Sequence, residues 1–590
     1  MHRSIRRAGV SFAAVVALCS VGIPGTGVPE EEQAPAIEKV FSYGLWGWDV
    51  AEYDLGLEGL LRDMARCSMN GLVAAPRLYT PFEAGPDEGS SDARLARLKK
   101  ELELCRKYGV SSLVFVGVDG KVSGRKLEDL IQAAKELRDE PAVLGWYLKD
   151  EPNPDFLPRF QEVRSAMKKV VPGQPVVCLF YRPDSAAVFA PHQPVLLTDC
   201  YPIAYMHDGT SLGPHFALKT GPHLLDRDLG RFNFWGARGV LEWMDLCRSF
   251  AGDKPHWITL QAFESGDSRQ IRWRQPTAPE LRLQAYLALA GGAKGINFFW
   301  HACLRDEYGN PLPNPHGEGT PLWEEIGRLG AEITPLGPLF LECGVAEPVT
   351  VVATNRPTPD AGKGVQIRRL RSRKRDVDLL VVFNNDVLTH NTADINLSKS
   401  LVGPRNVYDL HTLQRADTEE TTGGLVFPAS LAPGDGMVFS LSSPADFESD
   451  RQTILRAKCA NRLRVLDMDY ALAERSKIDL SQVAPLMEEA RTTLAAERCE
   501  RALDLFERTG EVLLEAMRRQ PTFWKTKEGL ETIRTRLGIL DRALVESLPL
   551  LSQTFRELLL RFDRGEAERI QADVERLAEE VRSCRTVSDK

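Results

Sequence analysis

Between about Val40 and Phe340 the chain repeats one pattern eight times: a short, continuously apolar run followed by a longer amphipathic stretch. The runs are KVFSYGLWG, NGLVAAP, SSLVFVGV, AVLGWYL, PVVCLFY, PVLLTDCY, HWITLQAF and KGINFFWH. A strand that is apolar throughout has to be covered on both faces, and a parallel sheet clothed by helices does this. Helical patterns such as DARLARLKKELELCRKYG and PELRLQAYLALAGGA fill the intervals; the fifth is the weakest, with only RPDSAAVFA available. Eight such units within roughly 300 residues match a closed (β/α)8 barrel. A doubly wound sheet is the alternative, but no glycine-rich phosphate loop follows the first strand. The barrel is expected over residues 36–340.

The whole chain of 590 residues is too long for one core. After Gly344 short runs such as VTVVATN, GVQIRRLRS and VDLLVVFNND alternate with Gly, Pro, Asn and Asp turns, which predicts an antiparallel β-sandwich over 345–445. From about Asp446 the periodicity becomes helical. Leu551, Phe555, Leu558, Leu559 and Phe562 share one helix face, as do Ala502, Leu505, Phe506 and Leu513, so residues 448–590 are expected to form an α-helical domain. The expected fold class is therefore α/β: a TIM barrel, then a β-sandwich, then a helical bundle. The two changes of composition imply separate cores for the sandwich and the bundle. At the N-terminus Arg3, Arg6 and Arg7 precede the apolar AGVSFAAVVALCSVGI, which reads as a signal peptide over 1–27 and implies a secreted or periplasmic protein. No other segment is long and apolar enough to span a bilayer.

A net charge of −8 speaks against a nucleic-acid partner, and the basic run IRRLRSRKR reads as a solvated strand and turn. The eleven cysteines form no C-x-x-C pair and read as scattered buried thiols. His207, His215 and His223 follow the sixth strand at a spacing that suits neither a helix face nor a compact ligand set, so no metal or cofactor is expected. They lie in a long Gly- and Pro-containing segment expected to cover part of a cleft.

A barrel of this kind carries its reacting groups at the carboxyl ends of its strands. Those ends hold Tyr43, Trp46 and Trp48; Arg77 and Tyr79; Asp119; Asp150 and Glu151; Tyr181 and Arg182; Asp199 and Tyr201; Gln261 and Glu264; Trp300 and His301. Carboxylates, an amide, arginines and aromatic rings converging on one rim suit a carbohydrate, whose hydroxyls need polar partners and whose C–H faces stack on rings. Cleaving a glycosidic bond needs an acid for the leaving oxygen and usually a second carboxylate as nucleophile or base.

The stretch WYLKDEP, ending the fourth run, resembles the fourth-strand motif of clan A glycoside hydrolases, in which Asn-Glu-Pro supplies the acid/base. GGAKGINFFWHA is similar to the eighth strand of family 42-type barrels. The resemblance implies Glu151 as catalytic acid, in a secreted glycoside hydrolase acting on a poly- or oligosaccharide. It implies no cofactor. Trp46, Trp48, Arg77, Tyr181, Asp199, Tyr201, Gln261, Trp300 and His301 are then the expected substrate-binding groups. This chain departs from the clan twice: Asp150 replaces the asparagine, and Gln261 stands near the place of the nucleophilic glutamate. Three readings stay open. Glu264 partners Glu151; or Asp150 orients an N-acetyl nucleophile while Glu151 protonates, as in hexosaminidase-like barrels; or the barrel binds glycans without hydrolysing them. Adjacent carboxylates also raise one another's pKa, which suits a proton donor.

Overall fold

The computed structural model describes residues 36–46, 56–78, 90–116, 124–206, 225–226, 231–232, 237–265, 271–273, 275–299, 308–309, 320–346, 351–356, 364–542 and 548–584. The expected signal peptide and the loop residues Trp48, Tyr79, Asp119, His207, His215, His223, Trp300 and His301 lie outside the described residues.

Eight parallel strands close into a barrel: β1 (Ser42–Trp46), β2 (Gly71–Arg77), β3 (Ser111–Phe115), β4 (Val143–Asp150), β5 (Val176–Phe180), β6 (Leu196–Cys200), β7 (His256–Gln261) and β8 (Gly295–Phe299). Each pairs with its neighbour in sequence, and β8 returns to β1 with Ser42 opposite Gly295 and Trp46 opposite Phe299. The apolar runs are buried on both faces, as their composition requires. On β5, Val177 and Leu179 point into the barrel with Leu113, Leu197 and Trp257, while Val176, Cys178 and Phe180 point outward to the helices. Gly295 lets Trp257 fill the lumen, since a Cβ there would stand 2.7 Å from the indole.

A helix follows each strand: α1 (Gly56–Arg66), α2 (Ser91–Lys107), α3 (Gly124–Glu136), α4 (Leu157–Val170), α5 (Pro183–Phe189), α6 (Ala237–Ala251), α7 (Ala278–Ala290) and α8 (Pro321–Ile333). The fifth has only seven residues, in keeping with its weak sequence pattern. Helix α7 starts in a capping box, Thr277 with Glu280, and is buried almost all round. Its apolar sequence on every side follows from its position between the barrel and the next layer.

That layer is a pair of antiparallel sheets, one of six strands and one of four, enclosing a core of Val365, Leu380, Val382, Ile395, Phe427 and Phe439. The strand Asp378–Asn384 is buried throughout because it serves two cores: Leu380 and Val382 face the sandwich, whereas Leu379, Val381 and Phe383 join the apolar layer around the barrel. Arg282 on α7 bonds Asp435 (2.6 Å), Glu325 (2.8 Å) and Glu332 (2.5 Å), clamping sandwich to barrel. The basic run is likewise paired: Arg369 and Arg371 meet the fully buried Asp378.

Among the described residues six helices follow: α9 (Pro444–Arg475), α10 (Val483–Ala495), α11 (Cys499–Arg518), α12 (Pro521–Arg542), α13 (Leu548–Asp563) and α14 (Ala567–Ser583). The sandwich has the separate core its composition predicts, but the helical segment does not. Its Phe506, Phe555 and Ile570 belong to one continuous apolar cluster with Leu60 and Met64 of α1. Arg62 to Asp563 (2.5 Å) and Arg66 to Asp469 (2.8 Å) reinforce that contact. Among the described residues no helix is long and apolar enough to cross a membrane, and the described cysteines are thiols, all but Cys584 buried.

Candidate active site

The carboxyl end of the barrel is floored by aromatic rings. Trp46 packs on Phe299 (centroids 4.9 Å apart) and meets Tyr147 edge-on, with the rings 80° apart. Tyr147 lies 5.5 Å from Phe115, over which the Arg77 guanidinium sits at 5.7 Å. On the other side Tyr201 stacks on Phe299 at 5.7 Å and takes Phe263 edge-on at 5.0 Å. These residues share the inner apolar cluster, so strand ends far apart in sequence build one plate.

Three carboxylates stand at this plate. Asp150 reaches it because β4 is irregular. Its register slips against β3 between Ser112↔Val143 and Leu113↔Gly145, and against β5 between Tyr147↔Val177 and Lys149↔Cys178. In a regular strand residues 147 and 150 face opposite ways; the extra residue of a bulge re-aims the side chains beyond it. The Tyr147 hydroxyl consequently donates to Asp150 Oδ1 at 2.6 Å. Burial, then the Asp150 charge, push the Tyr147 phenol well above its ordinary value, so it acts there as a neutral donor.

Glu151 follows in a left-handed conformation, φ +43°, with its N–H donating to Leu179 O on β5 at 3.0 Å. An L-residue there carries a cost of order 1–3 kcal/mol, and such positions cluster at functional sites. The third carboxylate, Asp199, is the penultimate residue of β6 and almost wholly buried. Tyr201 bonds to it, and the Tyr201 phenol is pushed far up, first by burial and then by Asp199, Glu151 and Asp150 in that order. One tyrosine thus senses all three acids.

Gln261 requires a correction. Expected at the substrate, it is instead fully buried, with its amide spent on a backbone. Its Oε1 accepts from Ile203 N–H (2.8 Å) and its Nε2 donates to Ile203 O (2.9 Å), pinning the chain just after β6. The Gln284 side chain holds the Gln261 backbone in turn. Glu264 falls in a short strand, Glu264–Ser265, opposite Gly309. Segments leaving β6, β7 and β8 combine here into a small antiparallel sheet, with Ala204–Met206 at its edge. Tyr181 and Arg182 follow β5 half-buried, and Arg182 is engaged by Asp184 at 2.6 Å.

Of the expected groups, Trp46, Arg77, Asp150, Glu151, Asp199 and Tyr201 fall on one end of the barrel. Tyr147, Phe115, Phe263 and Phe299 were not singled out from the sequence, where each reads as an ordinary apolar position. Among the described residues no cluster of His, Cys, Asp and Glu is arranged to hold a metal ion.

No protein-family model matches this chain, and neither does any curated protein. Among solved structures it is similar to a beta-galactosidase from Bacillus circulans sp. alkalophilus, at 11% identity and a TM-score of 0.48, over 69% of this chain and 100% of that one. It is similar also to a GH42 beta-galactosidase from G. stearothermophilus, at 9% identity and a TM-score of 0.44, over 68% of this chain and 98% of that one. Against a beta-galactosidase from the psychrophilic Marinomonas ef1 the identity is 12% and the TM-score 0.39, and the match takes in 51% of this chain and 61% of that one.

Proposed function

We propose that the chain is a glycoside hydrolase in which Glu151 protonates the leaving glycosidic oxygen, acting on a carbohydrate outside the cytoplasm. The observation that carries this reading is that Asp150, Glu151 and Asp199 lie at the carboxyl ends of β4 and β6 beside an aromatic plate, with Asp150 held by the Tyr147 hydroxyl at 2.6 Å. Sugar rings stack on such plates, and glycosidic cleavage needs at least two carboxyl groups with different protonation. The two tyrosine hydroxyls go to Asp150 and Asp199. In this reading Glu151, which follows Asp150 at the end of β4, is the donor, and Asp199 or Asp150 is the anion opposite a developing positive charge. Gln261 is bonded to the Ile203 backbone, so this reading gives it no part in the chemistry.

The test is reducing-end release by purified protein over a panel of plant, algal and host glycans. On any glycan that is cleaved, Glu151→Gln should lower turnover by roughly 10²–10⁴-fold, the usual worth of general acid catalysis. The loss should shrink on synthetic glycosides whose leaving groups need no proton. Unchanged turnover in that variant would refute the assignment. A second reading draws on the 2.6 Å bond that fixes Asp150: this carboxylate would orient an N-acetyl group of the substrate. Asp150→Asn separates the two, since activity survives if Asp150 only binds a hydroxyl and collapses if it orients the internal nucleophile.

A further inference from the structure

A cavity of about 860 Å³ lies between the barrel and the C-terminal helices. Its barrel wall comes from α1 and from the end of α2 through Gly109, just before β3. Helices in such a barrel run back toward the amino ends of the strands, so the cleft sits away from the mouth that holds Glu151. The opposite wall is built from α9, α12 and α13, with Leu472, Leu530, Leu559 and Phe562 giving it an apolar lining.

Its charge runs against that of the whole molecule. The chain carries −8 overall, yet nine cationic side chains line the cleft against five carboxylates. Most are paired, as Arg62 is with Asp563 and Lys107 with Glu58. Three are not neutralised among the described residues. Arg464 donates only to uncharged oxygens, the carbonyls of Met69, Tyr108 and Gly109 and the Asn461 amide. Arg475 reaches the backbone carbonyl of Asp563. Lys527 lies over the Trp524 ring. Burial alone holds the Arg464 guanidinium below its ordinary range, with no carboxylate to offset it. A half-buried cation without an anion is costly, and a bound anion removes that cost.

We propose that this cleft binds a small anionic amphiphile, its carboxylate, sulfonate or phosphate head attracted by the excess positive charge of Arg464, Arg475 and Lys527 along the wall and its apolar body on the leucine wall. The volume lies within the range of small-molecule pockets, roughly 300–1,000 Å³. Walls on both sides suit a compact ligand better than a peptide helix, which needs a long open groove.

Anilinonaphthalene sulfonate, an anionic amphiphile that fluoresces in apolar surroundings, is the probe, with uncharged N-phenylnaphthylamine as its control. Titrated into the full chain, the sulfonate should bind saturably at one site, more weakly as salt is raised. The double variant Arg475→Gln, Lys527→Gln should bind it about tenfold more weakly, while the neutral control changes little. Ala471→Trp, which fills the cleft, should abolish both signals. Glu151→Gln should leave them intact, which separates this site from the barrel mouth. No saturable binding, or binding unaffected by the charge and filling variants, would overturn the proposal. So would binding of an acidic peptide in preference to the sulfonate.

Discussion

The two ends of the barrel treat ionisable groups in opposite ways. At the carboxyl end three acids together push up the phenol of one tyrosine, and one of them sits in a left-handed backbone conformation. At the amino end two buried bases, Lys294 and His256, are held by hydrogen bonds. Lys294, just before β8, donates to Phe340 O at 2.5 Å and to Cys343 O, tying the barrel to the first strand of the sandwich. His256, which opens β7, takes the Thr198 hydroxyl at 2.6 Å, and that hydroxyl accepts from the Trp243 indole at 3.0 Å. The indole N–H donates to that hydroxyl, and a neutral imidazole shares the hydroxyl's other hydrogen bond. Burial pushes His256 down to about 3, and Lys294 down to about 8. One end concentrates like charge where substrate would enter; the other removes charge or locks it into the fold. Variants at the mouth should therefore alter turnover, and variants at the amino end should alter stability.

The largest expected effect is at the mouth. Asp199→Asn keeps the shape and the bond to Tyr201 but removes the negative charge at the end of β6. If that charge faces a developing cation, turnover should fall by roughly 10²–10³-fold, as when one preorganised electrostatic group is lost elsewhere. The melting temperature should barely move, and could rise, because like charges are relieved. Steady-state kinetics beside a thermal melt will check this. A variant that melts early with normal turnover would make Asp199 a structural residue and erase the contrast.

The sequence made much of this end legible. The eightfold apolar alternation is a repeated signal, and the topology rule then places every strand-terminal residue on one rim. Asp150, Glu151 and Asp199 could be found in that way. The Tyr147 to Asp150 bond could not, because a period-2 reading puts the two on opposite faces and only the register slips of β4 bring them together. Gln261 misled for a different reason. Its polar side chain at a strand end looks functional until the return of the chain at Ile203 supplies it with backbone partners. The helical segment misled as well. A change in composition marks a change of element type, whereas the continuity of an apolar core depends on which faces meet, as Leu60 and Phe555 do within one cluster.

A smaller effect should appear at the amino end as pH is lowered. The folded value for His256, about 3, lies below the value near 6.5 of an unfolded histidine. Between the two the unfolded chain binds more protons, so stability falls with pH in that window. The neutral ring contributes fully above about pH 6.5, and its contribution is lost progressively toward pH 3, by up to a few kcal/mol. Denaturant unfolding at pH 7, 5.5 and 4.5 measures the slope. His256→Gln, whose amide can replace either role toward Thr198, should flatten it relative to wild type while leaving turnover at pH 7 unchanged. Equal slopes would show that the acid sensitivity comes from carboxylates elsewhere.

The smallest effect brings both themes to one residue. Glu151 at φ +43° occupies a region that costs an L-residue about 1–2 kcal/mol and costs glycine nothing. Glycine forfeits part of that gain through the greater freedom of its unfolded chain, by about 0.4–1 kcal/mol. The net change for Glu151→Gly is thus a stabilisation of up to about 1.5 kcal/mol, to which relief of repulsion from Asp150 and Asp199 adds. Glu151→Gln serves as the control, because it keeps the backbone cost and should melt close to wild type. Both variants should lose turnover alike, as neither carries a transferable proton. A glycine variant more stable than wild type and inactive would mean that the chain tolerates strain at this position in order to hold an acid there. A glycine variant less stable than the glutamine one would mean that the Glu151 side chain braces the strand end, and the contrast between a strained mouth and a locked base would fail at its central residue.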